Sequence, residues 1–500
     1  MNKPTFFFYD LETSGLSARD DRIMQFAGQR TDLDLNPIGD PINILVKLPN
    51  DTLPSPGAIM VTKITPQQTQ ADGLTEAEFC DFLEQEVFTK NTCVIGYNSV
   101  RFDDEFIRHL FWRNFRDPYT WQWKDGRSRW DLLDVVRLTR ALRPDGIKWP
   151  TQEIEVEEKD KDGKPTGKKK KVISETNRLE LITKLNGITH AHAHDAMSDV
   201  EALIDVTRLI KEKQPKLYDY LYTMRDKKQV AKLVNLEDKR PFVYASGRYS
   251  GEHHKTTVAF PLTTGRNHNI VVFDLRQNVE DLLKKGDESS FFPTVKELCL
   301  NKCPAVSPIG VLNIESTETF PSDSGKKPLT QTGWQRIGLD QETVKKNLNI
   351  LLKHPDFAER IRTLIEKRPE YPSAPDPEGN LYDGFLNSHD NILCEAVRNA
   401  DENRLADFHP EFNDERLPDL LLHYKAKNFP KSLSKDEESK WEEYRLARLN
   451  RQLPSFAKQM EEMQKALAAG KETNAQGQKI DPFILEELSL WHQSLQPEDY

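Results

Sequence analysis

The stretch FFFYDLETSG (Phe6–Gly15) ends an apolar run with two carboxylates, Asp10 and Glu12. Strand side chains alternate with a period of two, so a strand over residues 5–12 puts both acids on one face, their Cβ atoms roughly 7 Å apart. Charge at the margin of a core is seldom left without a partner, and a positive group is expected beside them. A D-x-E pair alone fits solvated acids at a sheet edge better than a site, but two later stretches change that reading. GYNSVRFDDE (Gly96–Glu105) follows an apolar strand; a turn from that strand into a helix aims Asp103 at the sheet's end, with Asn98 and Phe102 completing an N-x-x-x-F-D pattern. HAHAHDAMSDVEALIDVTRLI (His190–Ile210) then supplies His194 and Asp199 at the start of an amphipathic helix. On one continuous helix these two side chains stand about 140° apart, so they converge only if His194 lies on the loop leading in.

Four acids, Asp10, Glu12, Asp103 and Asp199, held about 5 Å apart repel by about 3 kcal/mol per pair at an effective dielectric near 20. Summed over all pairs, this exceeds the ~5–15 kcal/mol stability of a whole domain. Either the carboxyls protonate or cations occupy the site. An all-oxygen donor set selects Mg2+ or Mn2+ over zinc. Two such ions about 3.5–4 Å apart activate a water and stabilise the leaving oxygen of a phosphodiester. His194, titrating near neutrality, is then placed to act as general base, whereas His190 and His192 read as part of a polar loop.

Positioning these groups takes an α/β scaffold. The first 212 residues alternate strand and helix patterns, with strands at 5–10, 24–31 and CVIGYN (Cys93–Asn98), which implies a mixed or parallel sheet. The charged stretch 151–175 interrupts them and reads as a solvated hairpin or disordered insert, less readily as a flap touching DNA. From 215 to 350, short strands such as RPFVYASGRYS and HNIVVFDL suggest a β-rich domain, with the loop IESTETFPSDSGKKPLTQTG in its later half. KRPEYPSAPDPEGN (Lys367–Asn380) marks a linker or an extended crossing segment. Beyond 380 the pattern is helical: Ser434 and Glu437 have capping-box spacing, and Phe456, Met460, Met463 and Leu467 form one stripe expected to pack in a core. The domains are thus read as 1–212, 213–366 and 367–500, since 500 residues are too many for one core.

No run of about 18 apolar residues is present, and a strand starting at Phe6 leaves no room for a cleaved leader; a cytoplasmic location is expected. Cys80, Cys93, Cys299, Cys303 and Cys394 are odd in number and scattered, which argues against a disulfide framework. Cys299 and Cys303 have no second pair with which to hold zinc.

Asp10-x-Glu12-Thr13, Asn98-x-x-x-Phe102-Asp103 and His194-x-x-x-x-Asp199 resemble, in order and spacing, the three motifs of the histidine-bearing DEDD, or DnaQ-like, 3′ to 5′ exonuclease superfamily. GYNSVRFDDE, RNFRDPY, SRWDLLDV, ALRPDGIKWP, AHDAMSDV, NKCP and HYKAKNFP are similar to segments of the bacterial exodeoxyribonuclease I family, so the likeness spans nearly the whole chain. The resemblance implies an α/β fold class: an RNase H-like mixed-sheet exonuclease domain, followed by a β-rich SH3-like domain and an all-α C-terminal domain. It also implies a monomer that removes 5′-mononucleotides processively from the 3′ end of single-stranded DNA, in repair and recombination. Two Mg2+ ions would serve, with Mn2+ able to substitute. The stretches 151–175 and 314–335 are longer than the family leads one to expect.

A net charge of −10 is an objection to binding DNA. Arg108–Arg143 answers it with nine Lys or Arg against four Asp, interleaved with Phe111, Trp112, Phe115, Tyr119, Trp121, Trp123 and Trp130. Basic groups track phosphates while aromatic faces stack bases at ~1–3 kcal/mol each; Phe111, Phe115 and Trp130 are expected in the core. By resemblance, Glu12, Arg108, Tyr119, Trp123, Arg137 and Arg178 hold the strand or its terminal nucleotide. Arg143 and Tyr220 are candidates for docking the acidic C-terminal tail of the single-strand-binding protein. Two competing readings are the same chemistry on RNA ends, since the acids do not distinguish a 2′-hydroxyl from hydrogen, and a non-catalytic strand-binding module with a dead nuclease domain. Against the last stands the presence of every acid and the histidine.

Overall fold

The computed structural model describes residues 3–159, 165–188, 196–285, 291–320, 327–369 and 372–497. The chain divides into two compact units, one made of Met1–Ser128, His192–Val200 and Tyr371–Tyr500, the other of Arg129–Ala191 and Glu201–Glu370.

In the first unit, β1 (Thr5–Thr13), β2 (Ile23–Thr31), β3 (Ile42–Leu45) and β4 (Thr92–Gly96) lie in the order β3-β2-β1-β4. β1 runs antiparallel to β2 and parallel to β4, giving the mixed sheet expected. Phe6, Phe7, Phe8 and Tyr9 of β1 are all buried. A central strand covered on both faces reads as a continuous apolar run, not an alternating one. Phe7, Tyr9 and Leu11 share a core with Phe26, Phe79 and Phe106.

The C-terminal part of this unit is helical, as predicted, with helices at Ser388–Arg398, Glu402–Ala406, Leu417–Asn428, Lys435–Ala468 and Pro482–Ser494. Ser434 and Glu437 form the capping box that starts the long helix. Phe456, Met460 and Met463 pack there with Met24, Leu48, Ile59, Leu488 and Trp491, so the stripe does fill a core. The proline-rich segment at 367–380 is far from a loose linker where it is described. Asp376 and Glu378 are only 6% and 1% exposed, and Asp376 caps the short turn Pro377–Gly379.

β5 (Ser128–Asp131) leads into the second unit. The charged insert is a hairpin of β6 (Thr151–Lys159) and β7 (Pro165–Glu175). Lys171 and Lys169 bridge to Glu153 and Glu155 at 2.7 and 3.5 Å, all four side chains more than half exposed. β8 (Phe242–Ala245), β9 (Thr256–Thr264), β10 (Ile270–Asp274), β11 (Val295–Leu298) and β12 (Ala305–Pro308) form an antiparallel sheet of order β11-β10-β9-β8-β12. The β-rich reading of 215–350 needs correction at its ends. Pro215–Thr223 and Lys227–Leu233 are helices, the first opened by a proline and the second capped by Asp226, and Gln341–Lys353 is a third. The supposed loop at 314–333 is flanked by a strand pair, β13 (Glu315–Glu318) and β14 (Leu329–Thr332). All five cysteines are free thiols, and no helix among the described residues is long and apolar enough to cross a membrane.

Candidate active site

β1 delivers the first two acids. Asp10 lies opposite Ala27 and Glu12 opposite Gln25 on β2, and the register slips between Glu12 and Thr13. Such a bulge re-aims side chains, and the chain turns after Thr13, which still pairs with Ile23. Ser14 N donates to Arg22 O and Arg22 N to Ser14 Oγ, both at 2.8 Å. A Cβ at Gly15 would fall 2.4 Å from the Asp21 carboxylate, so a larger residue in this turn would displace that side chain.

β4 leads to the third acid. Asn98 takes a left-handed φ of 65°, which its short polar side chain tolerates. A single turn over Ser99–Arg101 then passes into the helix Asp103–Arg113. Asp103 is the first helical residue and is buried. Asp199 stands in the first turn of the helix Ala196–Lys213. His190, His192 and His194 lie outside the described residues.

Among the described residues, Asp10, Glu12 and Asp199 each offer a carboxylate oxygen within 4.8 Å of the other two. Three half-buried oxygen donors at that spacing fit a hard divalent cation. The Asp10 carboxyl is held well above the usual carboxylate range, first by burial and then by the negative charges of Asp103 and Asp199; the N–H of Leu11 opposes the shift. Asp103 thus adds its charge to the same spot, where a bound cation would offset the repulsion.

The aromatic segment sorts by burial. Phe111, Phe115 and Trp130 are in the core as expected, and so are Trp112 and Trp121. Trp123 is 64% exposed, and Tyr119 is half-buried with its ring 5.8 Å from that of Phe385. Arg108 is buried, bonded to Glu105 at 2.7 Å and to Gln122 at 2.8 Å, with its guanidinium 5.8 Å from the Tyr119 ring centroid. In the second unit, Arg137 pairs with Asp134 at 2.5 Å, and Arg178 is exposed with Glu180 at 3.6 Å. Arg143 donates to the carbonyls of Leu142 and Val311 at 2.5 and 3.4 Å. Burial pushes the Tyr220 phenol up to about 12.

One constellation had no pattern in the sequence. Beneath the Ser14–Arg22 turn, Arg22 meets Glu378 at 2.5 Å and Lys427 meets Asp51 at 2.9 Å. Arg448 meets Asp51 and Asp376 at 3.3 and 3.2 Å, and Arg113 meets Glu76 at 2.7 Å. All of these side chains are buried. Burial alone would raise the Glu378 carboxyl, yet Lys427, then Arg22 and His423, hold it well below the usual range. Removing one member of a buried ion pair costs about 3–5 kcal/mol, so this network locks the segment around 376–448 to the strands that carry the acids.

Three family models match the chain: Exonuclease over residues 7–207, Exonuclease I SH3-like domain over 225–327 and Exonuclease I C-terminal domain over 375–495. Exodeoxyribonuclease I of Haemophilus influenzae is 38% identical over 457 residues, covering 90% of this chain and 92% of the relative. Exonuclease I of Escherichia coli, solved in complex with a dA16 oligonucleotide, superposes with a TM-score of 0.84 at 31% identity, covering 99% of this chain and all of that one. The E. coli enzyme has also been solved as a zinc-bound form with single-stranded DNA, and a structure of SSB/exonuclease I with an inhibitor matches at a TM-score of 0.82 and 31% identity. An RNase H-like exonuclease domain, an SH3-like domain and a helical C-terminal domain are therefore shared from end to end, and the chain belongs to the exodeoxyribonuclease I family.

Proposed function

We propose that this chain degrades single-stranded DNA from its 3′ end, releasing 5′-mononucleotides, with Mg2+ as the metal and Mn2+ able to substitute. The observation that carries the reading is the trio of carboxylate oxygens from Asp10, Glu12 and Asp199 within 4.8 Å of one another. These residues would hold the metal, with Asp103 beside them. A divalent ion there supplies charge to offset that developing on phosphodiester oxygens and makes nearby water more acidic. His194 takes the proton of the attacking water as general base. Trp123 and Tyr119 give the strand stacking faces that read no sequence, and Arg108, Arg137 and Arg178 attract its phosphates.

The family membership and the oligonucleotide held by the E. coli relative support this substrate. The SSB/exonuclease I structure among the similar solved structures supports the single-strand-binding protein as partner; its acidic tail would dock at Arg143 and Tyr220. The division into domains at 212 and 366, a monomeric state and action in the cytoplasm belong to the same proposal.

The test is digestion of single-stranded and blunt duplex oligonucleotides, labelled at either end, with and without Mg2+. Release of mononucleotides from the 3′ end of the single strand, only with metal, is expected. Asp10→Ala should keep strand binding and lose cleavage; unchanged turnover in that variant refutes the assignment.

A further inference from the structure

The turn that follows Asp10 and Glu12 is gripped by a residue near the other end of the chain. Arg448, in the helix Lys435–Ala468, donates from Nη2 to Asp20 O at 2.7 Å, from Nε to Asp51 O at 3.2 Å and from Nη1 to Asp376 Oδ2 at 3.2 Å. Its side chain is 2% exposed. A guanidinium offers its donors in a rigid fork, and here the fork ties together three segments that are distant in sequence. Asp20 O also receives Arg22 Nη1 at 3.0 Å, and Asp21 O receives the same nitrogen at 3.2 Å. The far end of the turn is Ser14, bonded through its own N–H to Arg22 O at 2.8 Å and through its carbonyl to Ser55 N at 2.7 Å. Glu12 lies two residues before Ser14, on the other side of the bulge. A shift of the Asp20 backbone therefore has a short hydrogen-bonded route to Glu12.

We propose that Arg448 is a positioning residue for the metal-binding acids. The C-terminal helix holds the turn that sets Glu12, and the affinity of the site for a divalent ion depends on a side chain that is not itself a ligand. The inference rests on the metal-binding reading of Asp10, Glu12 and Asp199. Groups that orient metal ligands from behind change affinity by about 10–100-fold when removed. Arg448 acts through the backbone of one ligand strand only, so the lower end of that range, roughly tenfold, is expected.

The experiment titrates Mn2+ into the full-length chain without DNA, reading free Mn2+ by electron paramagnetic resonance, with a thermal melt of each variant. Arg448→Lys keeps the charge and loses the fork; Asp376→Asn neutralises the carboxylate that Nη1 meets. Lys458→Met, at a side chain 76% exposed on the same helix, is the control. Arg448→Lys should melt cooperatively yet bind Mn2+ roughly tenfold more weakly, Asp376→Asn should show a smaller loss, and Lys458→Met should match the unaltered protein. Equal Mn2+ affinity in a folded Arg448→Lys overturns the inference. So does an Arg448→Lys chain with no cooperative melt, because the residue is then a plain part of the core. Asp10→Asn separates the two readings: if the unaltered chain shows no Mn2+ binding that this variant removes, the metal site itself is refuted.

Discussion

Tyr9 Oη donates a 2.6 Å hydrogen bond to Asp104 Oδ1, joining the residue before Asp10 to the residue after Asp103. Both partners are buried, so one bond fixes the strand that carries one acid against the helix that carries another. Tyr9→Phe leaves the ring in place and removes the donor. We expect a loss of about 1–3 kcal/mol in stability, the penalty for weakening the satisfaction of a buried carboxylate, and a lower kcat. Urea denaturation and steady-state kinetics on a labelled oligonucleotide check both; unchanged values would show that Asp104 is held adequately by its other contacts.

Asp10→Asn should separate stability from activity. Burial and the charges of Asp103 and Asp199 raise the Asp10 carboxyl, so the metal-free protein stores repulsion that an amide relieves. The variant is expected to melt about 1 °C or more above the metal-free parent, the shift for roughly 1 kcal/mol in a protein of this size. It should have no measurable cleavage. Mg2+ should raise the melting point of the parent and leave that of the variant where it is.

Stability should fall in acid in two stages. Burial pushes His109 down to about 4, against about 6.5 in an unfolded chain. Its folded-state pKa is the lower one, so its contribution is complete above pH 6.5 and is lost as pH drops from 6.5 towards 4. The loss amounts to about 3 kcal/mol at most. Glu378, also depressed, contributes above the unfolded carboxylate value of about 4.3 and is lost only below it. Urea melts from pH 7.5 to about 2.5 should therefore show an early decline that His109→Gln flattens. The decline below pH 4.3 should survive in that variant.

Trp123 and Trp121 are two residues apart and should behave oppositely. Trp123→Ala, at an exposed ring, is expected to weaken binding of any single-stranded oligonucleotide by about 1–3 kcal/mol without altering the melt. Trp121→Ala, at a buried ring whose centroid is 4.8 Å from that of Phe88, should cost about 3–5 kcal/mol of stability. Fluorescence anisotropy and thermal melts distinguish the two outcomes.

The site was legible because its acids sit at element boundaries with strong local signals. Asp10 and Glu12 close an apolar strand, Asp103 opens a helix after a turn, and Asp199 lies in a helix's first turn. Burial within the aromatic segment was legible only in part, since Trp121 and Trp123 have the same composition signal and differ by which side of a short turn faces water. The helix Pro215–Thr223 was hidden because Tyr218, Tyr220 and Tyr222 alternate with the period of a strand. The ion network left no trace at all: Arg22, Asp51, Glu378 and Arg448 carry no common pattern, and each is an unremarkable charge until the chain folds.

The pairing of Asp51 with Lys427 and Arg448 has a consequence for the order of synthesis. A ribosome adding 5–20 residues per second needs roughly 20–80 s after making Asp51 to reach Arg448. During that interval the nascent amino-terminal half has its acids but not the cations that lock its first turn. The ion pairs that lock the turn behind Glu12 therefore close only after Lys427 and Arg448 have been added.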